Sequence, residues 1–253
     1  MEEVKFDATV EVELNEDDCI QVDEAELEAA YDIYVAECNA ALRLTLARIE
    51  NLCEAIDRAG KRNPFDRIES RIKTFKSVKG KCGARGYARN IGSIRENVHD
   101  VAGIRIITKY LDEIDLVKDM IEKIPGINIV KVKDYVKMPK PNGYQSVHLD
   151  CQVEIHDPYK GSRLIPVEIQ IRSKSMNLWA TLEHDLKYKN ENPSPEVEEK
   201  FRKIAKILRD FEEEAIALRD YEEDAETENS VDIAAKIHNL SSSLPKIEEL
   251  LNQ

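Results

Sequence analysis

Apolar side chains recur every three or four residues between Asp23 and Ala59: Leu27, Tyr31, Val35, Cys38, Leu42, Leu46, Ile49, Cys53 and Ile56. That spacing predicts one amphipathic helix, or two abutting ones, ended by Gly60. A second stripe of the same period runs through Val197, Phe201, Ile204, Leu208, Phe211, Ala215 and Leu218. It follows Ser194-Pro195, a cap and first-position pair. Both stripes have charged flanks in a heptad-like rhythm, so each either packs on the domain's own sheet or forms a helical interface between copies. Residues 230–251 read as a short helix, a serine-rich break and a last turn after Pro245.

Between these helical ends the period changes to two. In Gln145–Ile155, Val147, Leu149, Cys151, Val153 and Ile155 point one way, and Ser146, His148, Asp150, Gln152 and Glu154 the other. Leu164–Arg172 repeats the pattern, with Ile165, Val167, Ile169 and Ile171 set against Glu168, Gln170 and Arg172. Arg67–Lys73 aligns Arg67, Glu69, Arg71 and Lys73 on one side. Val101–Thr108 and Ile127–Val136 are also strand-like, with a helix near 113–124 between them. HDPYKGS (156–162) reads as a loop, the segment around Trp179 as a helix, and residues 1–20 as loose or an edge strand. The pattern predicts an α+β fold: a mixed, mostly antiparallel sheet of about five strands flanked by helices, with long helices at the N- and C-terminal ends. One sheet face covers the core. The other carries long ionic groups of both signs on several strands, which suits a binding floor better than a merely wet surface.

Composition narrows the class. Of 253 residues, 42% are hydrophobic and 34% charged, enough for a folded core beneath a heavily ionic surface. Disorder throughout, collagen-like repeats and a disulfide miniprotein are excluded. No apolar run approaches the roughly 20 residues needed to span a bilayer. The acidic start lacks the basic and apolar regions of a signal peptide. Five cysteines (Cys19, Cys38, Cys53, Cys82, Cys151) without any CxxC pair read as free thiols in a reducing cytoplasm. Charge is uneven. Residues 61–95 carry 11 basic and 2 acidic side chains, whereas residues 1–60 carry 4 and 17, and residues 190–253 carry 8 and 17. A basic segment inside an acidic protein fits a locally held anion, or else a solvated basic loop. Acidic flanks disfavour duplex nucleic acid; contact with RNA is permitted and not indicated.

Four segments carry candidate chemistry. In RIKTFKSVKGK (71–81), lysines surround Ser77 at a strand-to-helix transition, which suits a polyphosphate or is simply a basic surface helix; no Walker A loop is present. Asp100 in HDVAGIRIIT is placed at a strand edge as a magnesium ligand or as a turn residue. The scattered histidines do not supply the ligand set of an HD phosphohydrolase. Pro139-Lys140-Pro141-Asn142-Gly143 is turn chemistry that presents Tyr144, beside Lys140, Asn142 and His148, to stack on a base or to pack on the domain. Glu168 lies on the polar sheet face; if it converges with Asp100, the two form the carboxylate pair that phosphoryl or pyrophosphoryl transfer uses with Mg2+.

These segments, in this order, resemble the synthetase domain of RelA/SpoT-type enzymes, the (p)ppGpp alarmone synthetases, over about residues 64–189. KPNGYQSVH, and VEIQIR followed by WATLEH, carry the likeness, and the length resembles that of the stand-alone small alarmone synthetases. The resemblance implies a nucleotidyltransferase-like domain that moves the β,γ-pyrophosphate of ATP to the ribose 3′-hydroxyl of GDP or GTP, with Mg2+, releasing AMP. It implies that Arg71 and Arg105 sandwich adenine, that Lys73, Ser77 and Lys81 hold the triphosphate, and that Asp100 and Glu168 are the metal-binding and catalytic acids. Tyr144 would stack on guanine, with Lys140, Asn142 and His148 binding the acceptor and Gln170 and Arg172 in support. The chain then divides into an acidic extension (1–22), a helical segment (23–60), the synthetase core (61–189) and a C-terminal helical segment (190–253). A homo-oligomer, a tetramer by family analogy, is implied as well. Asn177, Leu178 and Asp185 depart from the family's usual residues, and Gln145 stands where small synthetases often have Arg. A relative acting on the tRNA 3′ end or on an adenosine nucleotide, and a non-catalytic nucleotide or RNA sensor, are the alternatives. The acidic extension could cover the site, mediate assembly or solubilise the chain.

Overall fold

A computed structural model describes residues 23–159, 161–189 and 194–251; the acidic extension lies outside them. Helix α1 (Glu24–Arg58) begins at Asp23, whose carboxylate accepts from the Ala25 amide, and carries Glu24 and Glu26 in its first turn and Arg58 in its last. Charges so placed complement the helix dipole. The helix is continuous rather than two pieces. Its buried stripe is turned slightly from the expected one: Tyr34, Ala41 and Thr45 are fully buried, while Val35, Leu46 and Cys53 sit at the margin.

The remaining elements are β1 (Phe65–Ile72), α2 (Phe75–Arg85), α3 (Ile91–Asn97), β2 (Ala102–Thr108), α4 (Glu113–Glu122), β3 (Asn128–Asp134), β4 (Val147–Asp157), β5 (Gly161–Ser173), α5 (Lys174–Lys189) and α6 (Pro195–Leu251). The five strands form one sheet in the order β1-β2-β5-β4-β3, and only β2 and β5 run parallel. The alternation assigned the faces correctly: Val147, Leu149, Cys151, Val153, Ile155, Ile165, Val167, Ile169 and Ile171 are all buried. Helix α1 packs across β5, β2, β4 and β1, and the core joins it to the inward side chains of α2, α3 and α4.

Two expectations are corrected. The 156–162 loop is shorter than predicted, because the β4–β5 ladder continues through His156↔Ser162 to Asp157↔Gly161. Gly161, at φ 75°, allows the tight return. At the C-terminus the serine-rich break is absent, and α6 runs unbroken through Pro245. A proline inside a helix removes one backbone bond and bends the chain without having to end it. Among the described residues, no helix is long and apolar enough to cross a membrane.

Candidate active site

Sheet register builds the site. Directly paired residues align two rows across the polar face. One reads Glu69, Arg105, Gln170, His148, Lys133; the next reads Arg71, Gly103, Glu168, Asp150, Lys131. Gly103 has no side chain, so the second row has a gap between Arg71 and Glu168. A cleft of about 130 Å³ opens there, lined by Glu69, Arg71, Asp100, Gly103, Arg105, Glu168 and Gln170 among others. The two carboxylates thus line one cavity. An adjoining cleft of about 380 Å³ takes in Arg71, Arg105, Tyr144, Gln170 and Arg172, with Thr181 and Glu183 of α5 on its wall.

The cationic side is set by the β1–α2 junction. Ile72 pairs with Ala102, so Lys73 just after β1 faces Asp100 just before β2. Lys73 Nζ donates to Asp100 Oδ2 at 2.5 Å and Lys81 Nζ to Oδ1 at 2.9 Å. Lys73, Ser77 and Lys81 are spaced by four. Thr74 caps α2, and its hydroxyl oxygen accepts from the Ser77 amide at 3.3 Å, placing Ser77 in the exposed first turn at the positive end of the dipole. Burial works against charge on Asp100, but the hydrogen bonds and charges of Lys73 and Lys81 outweigh it and hold the carboxyl below its usual value. Arg105 pairs with Glu69 at 3.2 Å. Its pKa is lowered by burial first and then by the neighbouring Arg172 and Arg71.

On the other side a closed ring of hydrogen bonds holds Glu168. Its Oε1 accepts from His148 Nδ1 at 3.2 Å and its Oε2 from Gln170 Nε2 at 2.6 Å. Arg172 Nη2 donates to Gln170 Oε1 at 2.8 Å and to Tyr144 Oη at 2.7 Å, and that phenol lies 2.8 Å from His148 Nε2. Burial raises the Glu168 pKa and the Asp100 charge adds to it, yet the bonds from His148 and Gln170 prevail and the carboxyl stays below its usual value. Both carboxylates therefore add stability that is complete above the ordinary carboxylate range and is lost as pH falls below that range through their lowered folded-state values. The melting temperature should drop as pH falls below about 4, and Asp100→Asn should flatten that drop.

Tyr144 is half-buried. Its ring lies edge-on to Tyr135, His148 and Trp179, with the Lys140 ammonium 4.6 Å from its centroid. Packing on the domain and presentation to the cleft, alternatives in the sequence, are both realised. The turn that carries it rests on α6. Gly143 sits at φ 91°, and a Cβ there would lie 3.0 Å from that of Ala205. Arg202 donates to Pro141 O at 3.3 Å, and the buried Trp179 indole donates to Phe201 O at 3.0 Å. Gly143→Ala should lower the melting temperature, as a thermal melt would read, because an alanine there must hold φ near 91° and push against Ala205.

Of the residues singled out from the sequence, Arg71, Asp100, Arg105, Tyr144, Glu168, Gln170 and Arg172 line these clefts; Lys73 and Lys81 join them through Asp100, His148 through Glu168, Lys140 through Tyr144 and Asn142 through Glu183, while Ser77 stands between the two lysines on exposed α2 surface. Sequence reasoning missed the Lys133–Asp150 pair (2.7 Å) beside Glu168, and Glu183, which accepts from Asn142 Nδ2 at 2.8 Å. The first needs the β3–β4 register, and the second the return of α5 over the sheet.

A mixed sheet with helices on its apolar face and a charged cleft on the other defines an α+β domain with the layout of a nucleotide-handling enzyme's fold, and its relatives say which. A profile of the region found in RelA / SpoT proteins matches residues 70–193. The GTP pyrophosphokinases YwaC and YjbM of Bacillus subtilis are each 34% identical over 155 residues, 61% of this chain and 73% and 70% of theirs. The structure of a GTP pyrophosphokinase family protein from Streptococcus pneumoniae superposes with TM-score 0.70 at 26% identity, covering 77% of this chain and 95% of that one. The small alarmone synthetase 1 of Bacillus subtilis, bound to its product pppGpp, does so with TM-score 0.69 at 25% identity, covering 76% and 97%. The chain belongs to the RelA/SpoT family, and its fold is similar to that of the small alarmone synthetases over nearly their whole length.

Proposed function

We propose that this protein is a GTP pyrophosphokinase, a transferase that moves the β,γ-pyrophosphate of ATP to the ribose 3′-hydroxyl of GDP or GTP and releases AMP. The names of its relatives support the activity. The observation that carries it to these residues is the meeting of Asp100 and Glu168 in one cleft between the arginine pair and Tyr144.

ATP would lie with adenine between Arg71 and Arg105, whose planar guanidinium groups stack well. Its phosphates would meet Lys73, Ser77 and Lys81 at the α2 N-terminus. Guanine would lie on Tyr144, with Lys140, Asn142 and His148 holding the acceptor's phosphates and sugar. The 3′-oxygen then bonds to Pβ, the bond from Pβ to the α,β-bridging oxygen breaks, and that oxygen leaves with AMP. Glu168 accepts the hydroxyl proton, and the Gln170 and His148 bonds fix the direction its oxygens face. Transferred charge stays high throughout, so positioning and electrostatics do most of the work.

Mg2+ fits the donor set. Asp100 and Glu168 offer hard oxygens, and no cluster of three or more acidic, His or Cys ligands occurs among the described residues, leaving positions for water and phosphate. When bound it would neutralise phosphate charge. The Leu178, Leu182 and Leu186 face of α5 and Ile207, Phe211 and Leu218 of α6 are exposed, which supports a homo-oligomer measurable by mass photometry. Free thiols whose pKa burial pushes up, to about 11 at Cys38 and about 12 at Cys151, suit the cytoplasm. The test is AMP release from ATP and Mg2+ with GDP, GTP, ADP or tRNA as acceptor. GDP and GTP should each give AMP and a 3′-pyrophosphorylated product in equal amounts; AMP with tRNA or ADP alone, or with none, would overturn the reading.

A further inference from the structure

Among the described residues two carboxylates outside the clefts are buried, Glu113 and Glu212, each 7% exposed. Arg62 neutralises Glu113 at 2.7 Å. Glu212, on α6, is held instead by the end of β5 and the start of α5. Its Oε1 accepts from the Ser175 amide at 3.4 Å, and the Ser173 and Ser175 hydroxyls bond to it as well. The Ser173 hydroxyl oxygen in turn accepts from the Met176 amide at 3.2 Å. Burial outweighs these bonds and the nearby Arg209, so the carboxyl stands above its usual value. A buried carboxylate costs desolvation that an apolar side chain would not; what it adds is bonds with a direction. Direction matters at this point of the chain. Strand β5 ends at Ser173 and α5 begins at Lys174, with no loop between them. The first amides of a helix lack partners inside it. Glu212 and Ser173 supply those partners to Ser175 and Met176, and so fix the angle at which α5 leaves the sheet.

We infer that Glu212 is a positioning residue for the acceptor: acting from α6, it sets the α5 wall against which the Tyr144 ring stands. Ala180 and Thr181 of α5 line the larger cleft together with Tyr144. Trp179 lies edge-on to that ring, with centroids 6.1 Å apart. Helix α6 grips α5 at two points about three turns apart: Phe201 O, which accepts from the Trp179 indole, and Glu212. Between them Ala205 abuts Gly143 of the Tyr144 turn. Gly143, Gln145, Ser175, Trp179, Ala205 and Glu212 share one crevice, where the turn, α5 and α6 meet. The donor side is built elsewhere. Arg71, Lys73, Lys81 and Arg105 sit on or beside β1, α2 and β2, with the two lysines on Asp100 and Arg105 on Glu69. A small swing of α5 therefore loosens the acceptor's shelf before it disturbs the donor's phosphates. The inference rests on the pyrophosphokinase reading and extends it to a residue that meets no substrate.

The experiment measures initial rates of AMP release by the full chain with Mg2+, varying GDP at saturating ATP and then ATP at saturating GDP, in wild type, Glu212→Ala and Glu212→Gln. Glu212→Ala should raise the KM for GDP about fivefold and leave the KM for ATP within about twofold. Glu212→Gln keeps the shape and an oxygen for the Ser175 amide, so its KM for GDP should return to within about twofold of wild type. Acrylamide quenching of Trp179, the one tryptophan of the chain, should rise in Glu212→Ala and not in Glu212→Gln. Should Glu212→Ala not fold, Ser173→Ala cuts the same link and should raise the KM for GDP about threefold, again with the KM for ATP unmoved. Melting temperatures that fall while both KM values stay at wild type, or KM values for GDP and ATP that rise together, would mark a residue that only holds the fold and overturn the inference. A wild type that releases no AMP with any acceptor strikes the pyrophosphokinase reading, and this inference with it. An active wild type whose KM for GDP does not move on substitution strikes the positioning role alone.

Discussion

Glu168→Gln should lower the rate of AMP release with saturating ATP and GDP at least ~10²-fold, about 3 kcal/mol of barrier. The substitution preserves shape, and both oxygens of the native side chain already lie in fixed hydrogen bonds from His148 and Gln170. What it removes is the charge and the basicity. An amide cannot take the 3′-hydroxyl proton, and its NH2 would face a donor where the carboxylate accepted one. Loss of a part-buried charge-assisted bond should also be visible as a small fall in melting temperature. That fall and the rate are separable, because AMP release is measured well below the melting temperature. Turnover near the wild-type rate would remove Glu168 from the chemistry.

Asp100→Asn should produce a loss of the same order by a different route. Asp100 is the shared partner of Lys73 and Lys81, the two lysines that the proposed function sets against the donor's phosphates. With the charge gone, two partly buried ammonium groups are left without their counter-ion, and one of the two carboxylates proposed to hold Mg2+ is neutralised. The rate at saturating ATP should fall at least ~10²-fold, and the Mg2+ concentration giving half the maximal rate should rise. A titration of rate against Mg2+ reads both. An unchanged midpoint with a reduced maximum would mean that Asp100 arranges the lysines and does not touch the metal.

The sequence carried the faces of the strands and the long helices, because both depend on local period. Gln145–Ile155 and Leu164–Arg172 alternate so regularly that the buried and cleft-facing sets can be read directly, and the structure keeps them. Register is a different matter. That Gly103 stands opposite both Arg71 and Glu168 is decided by backbone pairing between segments 32 and 65 residues apart. The gap that opens the cleft, and the convergence of Asp100 with Glu168, follow from that pairing and have no local signature. Helix α3 has only seven residues and a single fully buried side chain, Ile94, too few for a stripe to show. Helix α6 misled in the other direction, since serine and proline near its end resemble a stop signal where the helix in fact continues. The KPNGYQSVH segment was legible as a turn before a strand. Its support by Arg202 and Phe201 from α6 was not, because only the tertiary fold brings position 143 to position 205.

The central claim is that Asp100 and Glu168 act on one reacting centre. A double-mutant cycle on AMP release tests it most directly, with Asp100→Asn, Glu168→Gln and the two combined, all assayed at saturating ATP, GDP and Mg2+. Groups that serve one centre lose little more together than the worse of them loses alone, so the double variant should turn over within about tenfold of the slower single one. Losses that multiply in full, each ~10²-fold deepening the other to ~10⁴-fold, would place the two carboxylates in independent roles and contradict the account.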